Sequence, residues 1–354
     1  METLAFTKER EATELNGPLW WIKLTRFEFW PVWAVYFPAF FYWIYLSLKA
    51  RSFGYVSAAN PAIENGGVFG ESKSKILDLI PAAYKPRTMT IFPNTSPDEV
   101  LRTITSSQID FPLICKPDKG ERGYRVAKVK NAAELKSYME DTDGEFIIQE
   151  CIEWPLEFGV LYYRKPDGTS GITSVTGKRF LSVTGDGEAD VESLLFRSPR
   201  GRMQIERLKE LQPVQLSMVP AYGEEWLIEP IGNHCLGTTF LNRNDLICGE
   251  MVSLFDHITA GMTGFHYGRF DLKVERESDL FTGAKLRVLE LNGSTSEPGH
   301  IYDPGMSLFE AWSTILRHMK LVNVIAVQNI QRGFEPVPFT KILSESLQHF
   351  KNKK

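Results

Sequence analysis

Two alternating runs in the C-terminal third constrain this chain more than any other feature. They lie in "GRFDLKVERESDLFTGAKLRVLELNGS", residues 268–294. A period of two is the mark of a strand with one buried face. The intervening "SDLFTGAK" supplies Ser278, Asp279 and Gly283, residues that favour turns, so the runs are expected to pair as a hairpin. Pairing sets Asp271 beside Glu290 and Asn292. Any one of these side chains taken alone reads equally as a solvated charge on a surface ribbon. Three oxygen donors converging from two strands suit Mg²⁺, which binds one or two carboxylates and leaves its other positions to water and phosphate.

A second segment departs from the soluble norm. "FEFWPVWAVYFPAFFYWIYLSLKAR", residues 27–51, is almost wholly apolar through Leu48 and dense in aromatic rings. About 22 helical residues span ~33 Å, the thickness of a bilayer core. Pro31 and Pro38 are expected to interrupt such a helix, and Glu28 sits near one end. Lys23 and Arg26 precede the run and Lys49 and Arg51 follow it. Positive charge at both ends favours one side of a membrane for both flanks, hence a re-entrant or interfacial element rather than a crossing. The alternative is a helical hairpin packed on the protein's own core. The run starts late and has no small-residue cleavage site, so it does not read as a signal peptide.

The 354 residues suffice for two or three compact units, and 43% hydrophobic content fits a globular protein. A net charge of -4 gives no electrostatic case for nucleic acid. Cys115, Cys151, Cys235 and Cys248 lack metal-type spacing and stand among apolar neighbours, so they read as reduced core residues of a cytosolic protein. No internal repeat is evident.

Along the chain, a helix is expected over 71–79 and a short strand at "TMTIF". "SPDEVLRTITSSQ" has Ser96 as N-cap, Pro97 at the first helical position and acidic residues in the first turn, the signature of a helix start. Strand, glycine loop, strand, helix and strand follow, from "FPLICKP" to "EFIIQECI". Three strands come next, with "PDG" and "GDG" as hairpin signals. A helix-rich stretch covers 191–216, a helix lies at "MVSLFDHITAG", and another at about 307–327 closes the chain. With no strict βαβ rhythm, the fold class is α+β with antiparallel sheets.

"CKPDKGERGYRV" puts Lys116 at the end of an apolar strand, with Gly120 and Gly123 in the loop behind it. Glycines let backbone N–H groups turn toward an anion, and a nearby lysine offsets phosphate charge. The Walker A pattern is absent. Alone, this is a common hairpin composition; its place before the Asp271 hairpin gives it meaning.

In that order the pieces resemble the ATP-grasp superfamily, and within it the carboxylate–amine ligases similar to D-alanine–D-alanine ligase, glutathione synthetase and cyanophycin synthetase. The resemblance runs from about Gly70 to Met319. "ESKSKILDLIPAAYKPRTMTI" resembles the family's opening helix and strand, which implies that Lys73, with Lys75 as the alternative, reaches ATP. "PLICKPDKGERGYRV" resembles the strand and flexible loop that close on the phosphates, making Lys116 the phosphate lysine. "FIIQECIEWPLEFGVLYYR" resembles the hinge that reads adenine, here Glu150, Cys151 and Ile152, with Glu157 taking the ribose hydroxyls. "FLSVTGDGEADVESLL" is similar to the family's "GDG" hairpin and helix. "GRFDL" and "LELNGS" resemble its two metal strands, assigning Asp271, Glu290 and Asn292 to Mg²⁺, with Mn²⁺ as an alternative, and Arg269 to the acyl phosphate. Lys178 is a further catalytic candidate; Lys178 and Arg179 also read as sheet-edge charges. His234, His266 and His300 read first as structural histidines, His300 with a possible face toward substrate.

The resemblance implies a C–N bond-forming ligase that joins a small carboxylate to an amine through an acyl phosphate, splitting ATP to ADP and phosphate. A kinase-like phosphotransferase and an inactive membrane-bound nucleotide-binding scaffold are the alternatives. The chain departs from the pattern at its start, where relatives carry a Rossmann-like domain, and at "EWPLE" in the hinge. The expected organisation is an apolar segment at 1–55, a linker with opening helix and strand at 56–95, the ATP-grasp domain at 96–330 and a tail at 331–354. A ligase with a membrane element in place of that soluble domain is expected at the inner, cytoplasmic face of the membrane, as a peripheral or monotopic protein, with a lipid-linked substrate in prospect.

Overall fold

The computed structural model describes residues 17–68, 70–120 and 123–351. The chain opens with helix α1 (Leu19–Thr25), a single turn at 27–29 and α2 (Val32–Ala50). Of the two prolines, Pro31 divides the apolar segment as expected and Pro38 does not. Pro31 is the N-cap of α2, where a missing N–H costs nothing, and Pro38 is carried within a continuous 19-residue helix. Nor does the segment fold back as a buried hairpin: one face of α2 packs on the protein and the other is exposed. Among the described residues no helix is long and apolar enough to cross a membrane. The first sixteen residues of the expected N-terminal unit lie outside the described residues.

Helix α3 (Lys73–Asp78) starts where the Ser72 hydroxyl accepts the Lys75 N–H. A four-stranded antiparallel sheet follows, built from β1 (Thr88–Ile91), β2 (Leu113–Pro117), β3 (Ala127–Val129) and β4 (Phe146–Glu150) in the order β1-β4-β2-β3. Helices α4 (Pro97–Ser106) and α5 (Ala132–Glu140) supply the other half of its core, where Val100, Ile104 and Leu135 meet Leu113, Cys115 and Ile148. Ser96 caps α4 by accepting the Glu99 N–H, as the sequence indicates.

A second antiparallel sheet carries the larger core. Its strands are β5 (Leu156–Arg164), β6 (Ser170–Arg179), β9 (Thr239–Asn242), β10 (Tyr267–Val274) and β11 (Leu286–Asn292), ordered β11-β10-β5-β6-β9. Between β6 and β9 the chain makes β7 (Leu181–Thr184), the helices α6 (Val191–Phe196), α7 (Pro199–Leu211) and α8 (Pro213–Leu216), and β8 (Glu225–Glu229), which pairs with β7. "GDG" therefore does not close a β-hairpin. Asp186 accepts the N–H groups of Glu188 and Ala189 and turns the chain toward α6. Helix α9 (Gly249–Ile258) packs Phe255 on Phe270 and Tyr162, and a short α10 (Asp279–Thr282) occupies the expected turn of the β10–β11 hairpin.

Helix α11 (Leu308–Gln331) begins with a capping box between Ser307 and Glu310 and runs along α2. Trp312 donates to the Val35 carbonyl at 2.8 Å and Asn323 to that of Leu46 at 3.1 Å. The expected tail contains a further helix, α12 (Phe339–Lys351). The cysteine expectation is corrected as well: all four are free, yet Cys115 alone is buried and Cys235 is exposed. Cys235 sits in the single turn His234–Leu236, after the polar Asn233 and His234, where it lines a cleft.

Candidate functional site

The two sheets face each other across a cleft of about 1100 Å³. The β10–β11 hairpin forms as the alternation demands, with Asp271 opposite Glu290 and Arg269 opposite Asn292. On its other side β10 pairs with β5, placing Asp271 beside Gly159 and Lys273 beside Glu157, and β5 pairs with β6, placing Glu157 beside Lys178. Alternation then turns these charged side chains to the same face, the one toward the cleft.

Asp271 is the hub. Its Oδ2 accepts from Arg269 Nη2 at 3.0 Å and Nε at 3.2 Å, and from Asn292 Nδ2 at 2.9 Å. Its Oδ1 lies 3.0 Å from Lys178 Nζ, an ion pair in which the oxygen accepts no well-aligned hydrogen bond. Burial pushes the carboxyl pKa up, but Arg269 and Lys178 outweigh it and hold the group at about 2. Lys178 Nζ also donates to Glu157 Oε1 at 2.8 Å. Burial disfavours the ammonium, while Asp271 and Glu157 more than restore it and raise its pKa above the ordinary lysine value. Lys178 thus lies inside the sheet between two carboxylates, which removes the sheet-edge reading.

Such a cluster needs room. A Cβ on Gly159 would lie 3.2 Å from Asp271 Oδ1 and 3.4 Å from Arg269 Cδ, and one on Gly232 would lie 2.3 Å from Glu157 Oε1. Both glycines are therefore part of the site's construction.

Lys116 reaches across from the first sheet. Its buried Nζ donates to the Leu289 carbonyl of β11 at 3.0 Å and to Gln149 Oε1 at 3.3 Å. Burial lowers its pKa, Glu290 opposes that shift and Lys73 adds to it. Lys73 donates to the Gly120 carbonyl, and α3 is tied to the same loop where Ser74 N–H donates to Asp118 Oδ1 at 2.8 Å. Gly120 and Gly123 line the cleft, whereas residues 121 and 122 at the loop tip lie outside the described residues. Lys73 lines the cleft and its alternative Lys75 does not.

Glu150, Cys151 and Ile152 form a further wall with Glu157. The Glu150 side chain pairs with Arg87 at 3.0 Å, and the Ile152 carbonyl accepts from Lys273 Nζ at 3.1 Å. Apart from Lys75, every nucleotide, metal and catalytic candidate named from the sequence therefore lines one cleft. His300 does not: it is buried, with Nδ1 2.6 Å from Ser174 Oγ, and His266 bonds to the Arg164 carbonyl. His234 is the histidine that lines the cleft, 3.6 Å from Glu28.

Sequence reasoning missed Gln149, Lys273 and the Glu28–Arg200 pair. Gln149 had a signal, a polar residue inside the apolar run "FIIQE". The Glu28–Arg200 pair had none, since its members are 172 residues apart. Glu28, on the turn after α1, lines the cleft beside α7, and burial lowers the Arg200 pKa against the pull of Glu28.

The donor set fits a hard divalent cation. Glu290 has no hydrogen bond or ion pair among the described residues, Asp271 Oδ1 lacks an aligned donor, and the Asn292 amide oxygen is unengaged. No three His, Cys, Asp or Glu side chains gather among the described residues, so an ion would rely on two carboxylates, an amide and ligand oxygens, a set Mg²⁺ accepts.

No protein-family model matches the chain, and no curated protein matches it in sequence. Among solved structures, it is similar over 72% of its length to the VanG D-Ala:D-Ser ligase from Enterococcus faecalis, at 16% identity and a TM-score of 0.40, covering 61% of that ligase. It is similar over 70% of its length to a bifunctional glutathione synthetase from Pasteurella multocida, at 16% identity and a TM-score of 0.37, covering 35% of that chain. The D-alanine–D-alanine ligase from Coxiella burnetii matches 80% of the chain at 10% identity and a TM-score of 0.41, with 61% of the ligase covered. The chain thus spans less than two thirds of each of these three proteins. The overlap is partial, and the functional reading rests on the cleft.

Proposed function

We propose that the protein is an ATP-dependent carboxylate–amine ligase working through an acyl phosphate. The observation that carries this reading is the Asp271–Glu290 pair, in register on adjacent strands, with Arg269, Lys178 and Lys116 gathered about it in one cleft. Two facing carboxylates ringed by three cations suit a bound metal–polyphosphate.

Lys116 and the loop carrying Gly120 and Gly123 hold the phosphates. Glu150 to Ile152 edge the adenine, with Phe180 and Leu289 among the apolar walls, and Glu157 uses its free Oε2 for the ribose. Asp271, Glu290 and Asn292 would hold Mg²⁺ or Mn²⁺, which supplies charge neutralisation and in-line orientation of the transferring group. A substrate carboxylate oxygen attacks the γ-phosphorus and ADP departs. The amine nitrogen then attacks the acyl carbon, phosphate leaves with the C–O electron pair, and the nitrogen loses a proton. Arg269, held on Asp271 by two N–H donors and on the Glu297 carbonyl by a third, offers its two remaining N–H groups to the phosphoryl oxygens and to the tetrahedral oxyanion. Lys178 keeps the Glu157 and Asp271 carboxylates at fixed spacing and their charge in balance. Loop closure keeps water from the acyl phosphate.

The acceptor enters where Trp30 and Val32 from the apolar segment line the cleft. That wall supports an apolar or lipid-linked carboxylate or amine. Use of ATP and four free cysteines fit the cytoplasmic side.

A phosphate-release screen of the full-length protein against carboxylates paired with amines tests the reading. Release that requires both partners supports ligation. ADP formation with an acceptor alone, leaving a stable phosphorylated product, would assign a kinase-like transfer instead.

A further inference from the structure

Helix α2 is apolar on every side, yet half of it has no partner. Val35, Ala39 and Leu46 bury against α11 and its neighbours. Trp33, Phe37, Phe40, Phe41, Tyr45 and Leu48 project from the opposite side, each more than half exposed, Trp33 at 74%. At 100° per residue the two sets centre on opposite faces of one helix. A helix apolar all round is normally buried all round.

The exposed face does not stop with the helix. Ring contacts run from Phe37 to Phe41 at 5.4 Å, through Phe40 to Trp43 at 6.0 Å, and on to Phe53 at 5.6 Å and Phe339 of α12 at 5.7 Å. Contiguous apolar surface of this extent marks a contact surface rather than scattered exposed residues.

Charge selects the occupant. From residue 29 through 63 the sequence has no Asp or Glu, and Glu28 is buried against Arg200. The charges that α2 and its C-cap show to solvent are Lys49 and Arg51, both exposed. Clustered Trp, Tyr and Phe rimmed by basic groups complement a lipid headgroup layer, where aromatic rings sit at the interface and cations meet anionic lipid. The helix is about 28 Å long and does not qualify as a crossing, which leaves it lying in the plane of the surface.

We propose that the outer face of α2, extended by Phe53 and Phe339, docks the protein on an anionic lipid surface. Trp30 and Val32, immediately before and at the start of α2, line the cleft, so docking brings its acceptor end beside the headgroups. The consequence for substrate rests on the ligase reading: the acceptor class is an amphiphile presented from the bilayer. The docking itself does not depend on that reading.

Flotation of full-length protein with vesicles separates the two. Wild type floats with phosphatidylglycerol–phosphatidylcholine vesicles and at least tenfold less with phosphatidylcholine alone. The triple variant Trp33→Ser, Phe37→Ser, Phe41→Ser keeps its circular dichroism spectrum and loses flotation at least tenfold. Lys49→Glu with Arg51→Glu, which touches no packed ring, loses the preference for anionic lipid. Wild type that stays in the soluble fraction with both vesicle types, or a triple variant that floats as well as wild type, overturns the docking face. A stable dimer that buries the α2 face and does not float would assign it to a second copy and overturn the proposal equally. Flotation without ATP turnover sinks the ligase reading and leaves the docking standing.

Discussion

Asp271 stands opposite Glu290 in the β10–β11 ladder, and one of the two is heavily hydrogen-bonded while the other acts on Lys116 and Arg269 only through its charge. Asp271 is buried and held by Arg269, Lys178 and Asn292; Glu290 is half-buried and has no hydrogen bond or ion pair among the described residues. A pair arranged only for stability would satisfy both carboxylates. The hydrogen-bonded member fixes geometry, and the other is available to a ligand.

Gly159→Ala should separate geometry from stability. Its Cβ would press on Asp271 Oδ1 at 3.2 Å and Arg269 at 3.4 Å, so the hub must shift by a few tenths of an ångström. The expected stability loss is ~1 to 3 kcal/mol, the scale of mild overpacking, while turnover falls by about 10²-fold because the charged groups leave their working positions. Thermal unfolding and phosphate release read the two effects. Unchanged turnover in the variant would show that Asp271 is not held for catalysis.

The Asp271 carboxyl predicts an acid-stability window. Its folded pKa of about 2 is below the unfolded value of ~3.9. A depressed carboxyl stabilises above the unfolded pKa and loses that contribution as pH falls through the folded pKa. Wild type should therefore exceed Asp271→Asn in unfolding free energy by a margin that shrinks from pH 4 to pH 2. A margin independent of pH over that window would contradict the ion-pair account.

Two buried histidines act at milder pH. Burial lowers His300 to about 4 and His318 to about 3, where His318 Nδ1 lies 2.9 Å from the Tyr267 hydroxyl. Both folded values are below the ordinary ~6.5, so their contribution is complete above that pH and declines as pH falls toward 4 and 3. Denaturant midpoints between pH 7 and pH 4 should drop in wild type and drop less in His318→Asn. Parallel slopes would place the acid sensitivity elsewhere.

Lys116→Ala should weaken ATP binding by tenfold or more in calorimetry, because its ammonium is the cation from the first sheet that reaches β11. Lys116→Arg should not restore binding fully, since the buried fork has to fit between Gln149 and the Leu289 carbonyl. Wild-type affinity in the alanine variant would remove Lys116 from the nucleotide site.

Much of this was legible from local pattern. The period-two runs and the turn residues Ser278 to Gly283 specify the hairpin, and the hairpin alone brings Asp271 to Glu290. Ser96 and Pro97 specify a helix start from four neighbouring residues. Long-range partners were not legible: β7 pairing with β8 rather than across "GDG" depends on residues some forty positions apart, and Glu28 meeting Arg200 depends on how α1 crosses α7. The Pro38 expectation erred because α11 supports α2 along its buried face, and packing there sustains a helix that propensity alone would break.

Calorimetric titration of ATP into the full-length protein, with and without Mg²⁺, tests the central claim most directly, with Glu290→Gln alongside. The account predicts Mg²⁺-dependent binding by wild type, and a Glu290→Gln variant that keeps its fold, binds ATP without Mg²⁺ dependence and turns over at least ~10²-fold more slowly. Absence of ATP binding by wild type in the presence of Mg²⁺, or wild-type turnover by Glu290→Gln, would contradict it.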